Sequence, residues 1–198
     1  MIYSQTFEDG VNYLSNYILS DEYEYLTQTI PDINLVDSIY CKALTYYNGD
    51  ISEALLAAAF ATLAFKELPL KLPIIGSSLK ISLMDVDDEI FNEKISRLPS
   101  KLFFDSPQNN FGDLDKLSHF FGSAYLSHSV TIFKLSKFMG IFVEAFEAAF
   151  KVDGYLDGKD LLIDNLGEFY GKALKKNPGL LPSSSFKLYN LLFFKITN

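Results

Sequence analysis

Apolar positions along most of the chain recur every three or four residues, the repeat of an α-helix with one buried face. Val11, Leu14, Ile18 and Tyr25 keep this spacing, with Tyr13 and Tyr17 beside them. The pattern predicts one helix over 7–28, or two broken at Ser20-Asp21, where Ser20 is a natural N-cap; Pro31 ends it. Leu35, Ile39, Ala43 and Tyr46 mark the next helix, capped by Asp32 or Asn34 and stopped at Asn48-Gly49. Asp50 or Ser52 caps a third. From Ala54 to Phe65 that helix is apolar nearly all round, so it is expected at the centre of the molecule.

At residue 68 the period changes. Leu68-Pro69-Leu70-Lys71-Leu72-Pro73-Ile74 alternates, and so do Leu79, Ile81 and Leu83 after Gly76-Ser77-Ser78. This reads as a small hairpin over 68–83, or as an extended arm, because Pro69 and Pro73 confine the first strand to an edge. The acidic run Asp85-Val86-Asp87-Asp88-Glu89 reads as the cap and first turn of a helix over 89–98; it lacks the Gly and distal Glu of an EF-hand. Residues 99–112 form a polar, turn-rich connection holding Pro107, Asn109, Asn110 and Gly112. It separates a helical N-terminal lobe, 1–106, from a motif-bearing helical region, 107–198, the two forming one compact unit. Helices are expected over 113–136 with Asp113 as N-cap, over 137–151, and over 157–176 with Asp157 as N-cap. Asn177-Pro178-Gly179 stops the last of these. Residues 186–196 are densely apolar with a mixed period and fit either a strand or a final helix. The fold class is mainly α: a multi-helix bundle with a small β-hairpin or extended element.

Composition narrows the functional classes. The chain has 198 residues, 48% of them hydrophobic and 21% charged, enough for a substantial core. The net charge of −8 and a single arginine, Arg97, argue against nucleic acid, whose recognition rests on clustered Lys and Arg. Cys41 is alone, which excludes an intrachain disulfide; its apolar flanks predict a buried small hydrophobe. No run reaches the ~18–20 apolar residues of a membrane span. The first residues carry no signal-peptide pattern, and Ile2-Tyr3-Ser4-Gln5 reads as a mature terminus behind an added Met.

Candidate chemistry concentrates in residues 113–171, in three polar clusters set among apolar helical positions. They are Asp115-Lys116-x-x-His119-Phe120, then Gly140-x-x-x-Glu144-x-x-Glu147, then Asp157-x-x-Asp160-x-x-x-Asp164-x-x-Gly167-x-x-x-Gly171. A helix turns ~100° per residue, so Asp115 and His119, Glu144 and Glu147, and Asp160 and Asp164 pair on common faces. Gly167 and Gly171 continue the last face and admit close approach of another helix. His128 falls on the face opposite His119, whereas Ser123 and Tyr125 lie nearer to it. Two chemistries fit a pocket where the three faces converge. Asp115, His119, Glu144, Glu147, Asp160 and Asp164 form a ligand set for a divalent metal such as Mg, Mn or Zn. Alternatively His119, Glu144 and Asp164 form a metal-free acid/base set. A structural role is the third reading: Asp115 caps its helix, and His119 hydrogen-bonds a carboxylate within a buried network.

These motifs resemble the YfiM-type family of bacterial periplasmic lipoproteins over about residues 113–172. Asp115-Lys116-x-x-His119-Phe120, the glycine before Glu144 with an acid three later, and Asp160-Leu161-x-x-Asp164-x-x-Gly167-x-x-x-Gly171 carry the likeness. Their order is also similar to the VanZ-like membrane family, which typically has Asn where this chain has Asp164. The chain departs from the first pattern at Val143, where a Lys often stands, and in having no lipobox cysteine. The charges of Lys134, Lys137, Glu144 and Glu147 oppose a membrane-spanning helix there. The resemblance implies a helical bacterial protein of the periplasm or cell envelope and carries no established reaction.

The expected function is therefore an envelope-associated helical protein with a buried Asp/His/Glu network, structural or ligand-binding, meeting an envelope component or a lipid or glycan. The alternative is a metal-dependent or acid/base hydrolase acting on an envelope lipid or glycan. An interaction module using exposed members of the 12 Tyr and 18 Phe is a further reading.

Overall fold

The computed structural model describes residues 6–64, 67–71, 78–82, 87–109, 111–129 and 158–194. The chain is mainly helical. Helix α1 runs Phe7–Ile18 and α2 runs Asp21–Thr29, the break falling at Ser20, whose side chain accepts from the Tyr23 amide. Helix α3 follows at Asp32–Tyr46. Its N-cap is Pro31, whose ring carries no hydrogen-bonding group, so neither Asp32 nor Asn34 caps it as expected. The Asp32 carboxylate instead accepts from the Ser100 and Lys101 amides, both at 2.7 Å, tying the start of α3 to a loop that is distant in sequence. Asn48 and Gly49 take positive φ values of 52° and 91° and end α3.

Helix α4, Ile51–Ala61, is capped by Asp50 through the Glu53 amide. Ala54, Leu55, Leu56, Ala57, Ala58, Ala59 and Ala61 are all buried. Alanine has no side-chain bulk beyond Cβ, so neighbouring backbones approach α4 from several directions, and α1, α3 and the later α6 pack on it. Strands β1, Glu67–Lys71, and β2, Ser78–Ser82, pair antiparallel with Pro69 opposite Lys80. Helix α5, Asp88–Arg97, is capped by Asp87, and its buried Lys94 donates to the Ala61 carbonyl at the end of α4.

The connection from α5 to α6 is organised by Asp113. Its carboxylate accepts from the Leu102 amide and the Ser106 hydroxyl. Gly112 permits this path: its φ is +54°, and a Cβ there would collide with the Ser100 carbonyl. Helix α6 therefore begins at Lys116 and not at Asp113, which spends its side chain on the loop rather than on a helix cap. Helix α7 spans Gly158–Leu174, and Ser183–Phe194 is helix α8, which resolves the open choice between strand and helix. Asp37 of α3 caps α8 from a distance: its carboxylate accepts from the Ser183 amide at 2.7 Å. The buried cluster is continuous from Val11 and Leu14 through Ile39 and Ala58 to Phe120, Phe121, Tyr170 and Phe186. The expected helix over 137–151 and the Asp157 cap lie outside the described residues.

Cys41 corrects the sequence reading: it is exposed. On α3 the buried side chains Leu35, Val36, Ile39, Tyr40 and Ala43 span one face, and Cys41 is rotated roughly 170° from the middle of that face. Its apolar neighbours in sequence do not share its direction. Among the described residues no helix is long and apolar enough to cross a membrane.

Candidate functional site

Helices α6 and α7 form the most extensive helix–helix contact among the described elements. One end of that contact is held by charge and the other by the absence of side chains. At the charged end, Lys159 reaches the Asp105 carboxylate at 3.2 Å and Asp113 at 3.5 Å. One turn further on, Lys116 of α6 places Nζ 2.6 Å from Asp115 Oδ2 and 2.5 Å from Asp160 Oδ1 of α7. The next rung is His119, whose Nδ1 lies 3.2 Å from Asp164 Oδ1. Ser123 Oγ donates to the same oxygen at 2.9 Å.

Beyond Asp164 the side chains vanish. A Cβ on Gly167 would run into the Phe120 carbonyl oxygen and lie 3.0 Å from the Ser123 Cβ. A Cβ on Gly171 would run into the Ala124 carbonyl and the Ser127 hydroxyl. The close approach expected from two glycines four apart is thus made by α6. Asp160, Asp164, Gly167 and Gly171 follow one face of α7 at spacings of four, three and four, and Lys116, His119, Ser123 and Ser127 follow the opposing face of α6.

Electrostatics follow from burial. Lys116 is 7% exposed. Burial alone pulls its ammonium pKa down, but the hydrogen bonds and charges of Asp115 and Asp160 more than offset this, leaving it above the ordinary lysine value. His119 is 6% exposed, while the Asp164 side chain retains about a third of its exposure and opens this rung to solvent.

The structure therefore joins Asp115 to Asp160 through Lys116, and His119 to Asp164 directly. Glu144 and Glu147 lie outside the described residues. Among the described residues no group of three or more His, Cys, Asp or Glu side chains gathers to hold a metal ion. The position between Asp115 and Asp160 is taken by an ammonium, which supplies the positive charge a cation would bring. Tyr125 departs from the expectation that it lies near His119: the charges that reach its hydroxyl are Glu53 and Asp50, at the start of α4. Its rotation from His119 is roughly 120°, enough to carry it to the next helix. His128, on the face opposite His119, sits 3.4 Å from Ser52 Oγ, and burial followed by the nearby Lys175 holds its pKa below the ordinary histidine value.

Three participants escaped the sequence reading: Lys116 as the bridge, Lys159 as the outer rung, and Asp113 as the hub of the loop. A signal for Lys116 exists. It stands beside Asp115 and next to Leu117, Phe120 and Phe121, and a lysine that keeps its full charge among apolar helical positions needs a compensating partner. Nothing in the local sequence identifies that partner as Asp160. No protein-family model matches the chain, and no curated protein or solved structure matches it either.

Proposed function

We propose that this chain is a bacterial envelope-associated helical protein with a binding or structural role, in which the Asp/His/Lys ladder locks α6 to α7. The observation that carries this reading is the Lys116 ammonium held between Asp115 and Asp160. Carboxylates neutralised by a fixed lysine are poor metal ligands and poor proton carriers, but they set the register of two helices. The resemblance of residues 113–172 to the YfiM-type family supports the envelope location and belongs to the same proposal.

The test is metal content after dialysis against a chelator and reloading with Mg, Mn or Zn. On this reading no stoichiometric metal is retained, and His119→Ala lowers the melting temperature without altering metal content. Stoichiometric binding that is lost in Glu144→Gln would overturn it in favour of the hydrolase.

The hydrolase acting on an envelope lipid or glycan is the second reading. It is favoured by one observation, the His119 imidazole set against the solvent-open Asp164 carboxylate. Such a pair orients an imidazole for proton transfer. Hydrolysis of phospholipid or glycan reporters by the intact protein, abolished in both His119→Gln and Asp164→Asn while folding is retained, would establish it.

A further inference from the structure

A serine, a histidine and a carboxylate outside the ladder stand together where α4 begins and α6 ends, two helices that pack on each other. Ser52 is the second residue of α4, and His128 lies in the last turn of α6. Ser52 Oγ and His128 Nδ1 are 3.4 Å apart. Ser129 Oγ donates to Ser52 Oγ at 2.8 Å, so the Ser52 hydroxyl accepts on one side and has its own proton for the imidazole on the other. Ser52 and His128 are both half-buried, which leaves the pair partly open to solvent.

The surroundings suit a nucleophile and its base. Burial, and then the Lys175 ammonium, hold the His128 pKa below the ordinary histidine value against the opposing charge of Asp50. The imidazole is therefore neutral near neutral pH and able to accept a proton. Asp50 favours the imidazolium that forms once the proton is taken. The Asp50 carboxylate caps the Glu53 amide, whereas the amides of Ile51 and Ser52, at the first two positions of α4, have no acceptor among the described residues. The amide of the serine itself is thus a donor in place for the charge that develops on an attacked carbonyl oxygen. Asp50 and Glu53 are exposed on either side of Ser52 and repel an anionic substrate.

We propose that Ser52 is a nucleophile with His128 as its general base, acting on uncharged carboxylic esters. Ser52 Oγ bonds to the ester carbonyl carbon as its proton passes to His128 Nδ1. The bond to the leaving alcohol breaks, and the alcohol departs with that proton. Water then adds to the acyl-serine while the imidazole takes a proton from it. The carboxylic acid is released as this proton returns to Ser52 Oγ. The proposal goes beyond the α6–α7 ladder and uses none of its residues.

The experiment treats the intact protein with diisopropyl fluorophosphate, an uncharged reagent that phosphorylates an activated serine and releases fluoride. One adduct is expected, mapped to Ser52 by peptide mass spectrometry. Its rate should rise with pH through a single pKa below about 6.5 and then level off, as the imidazole loses its proton. His128→Gln is expected to slow labelling by on the order of a hundredfold, the share of a general base. Hydrolysis of para-nitrophenyl acetate should be lost in Ser52→Ala, with melting temperatures recorded for both variants. The wild-type adduct and its pH profile need no variant, so they decide the matter if a variant fails to fold. The proposal is overturned by no adduct, by an adduct on another residue, or by a rate that keeps rising into alkaline solution. Labelling of folded His128→Gln at the wild-type rate, or ester hydrolysis that persists in Ser52→Ala, overturns it as well. Any of these failures leaves the ladder reading standing, because that reading is tested by metal retention and by His119→Ala.

Discussion

Lys116 and Asp160, separated by 44 residues of chain, meet at 2.5 Å across the α6–α7 interface, with Asp115 on the other side of the same ammonium. Removing the lysine leaves two carboxylates facing one another with nothing between them. Lys116→Met is expected to destabilise the protein by about 2–3 kcal/mol, less than for a wholly buried pair because Asp115 keeps a quarter of its exposure. Urea unfolding measures this. The pH dependence follows from the raised lysine pKa: the pair's contribution is complete below the unfolded lysine value and is lost as pH rises through the higher folded value. The wild type should therefore lose this contribution only in strongly alkaline solution, and Lys116→Met should show no such loss.

The glycine end of the interface has a steric test with an internal control. Gly171→Ala places a methyl group against the Ala124 carbonyl and the Ser127 hydroxyl, so the helices must separate. A loss of about 2–3 kcal/mol is expected, in the upper range for overpacking. Gly158→Ala, in the first turn of the same helix, meets nothing within 4 Å and should be neutral or slightly stabilising. Equal effects from the two substitutions would refute the close approach.

Lys94 gives a prediction of opposite sign. Burial pushes its pKa down to about 8. A lysine that is easier to deprotonate in the folded state makes stability rise with pH, here between about 8 and the unfolded value near 10.4. Lys94→Met keeps the apolar stem and removes the buried charge. After allowance for the lost hydrogen bond to Ala61, a gain of about 2 kcal/mol at neutral pH is expected, together with a flatter stability profile above pH 8. Thermal unfolding across that range checks both.

Asp113 is 1% exposed and holds the loop between α5 and α6 through the Leu102 amide and the Ser106 hydroxyl, with Lys159 at 3.5 Å. Asp113→Ala strands the Leu102 amide and leaves Lys159 without this partner, while the Ser106 hydroxyl keeps its Phe103 contacts; the expected cost is about 2–3 kcal/mol. Amide exchange should accelerate first in residues 100–106. A uniform acceleration across the chain would instead mean that the loop is not a separate unit.

Much of the helical layout can be read without coordinates, because burial on one face imprints a period on the chain. Ser20 and Asp50 cap the helices that their positions predict, and Asn48-Gly49 ends α3, since these are local matters of a side chain reaching an amide two or three residues away. The common face of Asp160 and Asp164 is equally legible, being fixed by ~100° per residue within one helix, whereas Asp115 stands just before α6. Cys41 reads as a buried hydrophobe from its sequence neighbours, yet it is rotated away from the buried face of its own helix. Asp113 reads locally as a cap and fails because its carboxylate is engaged by the Leu102 amide and the Ser106 hydroxyl of the preceding loop. Local spacing can place a lysine beside Asp115, but only the approach of α7, allowed by two glycines and sealed by Phe120 and Tyr170, brings Asp160 and Asp164 to Lys116 and His119. Periodicity describes one helix at a time. Partnership between helices is a property of packing, which no local pattern encodes.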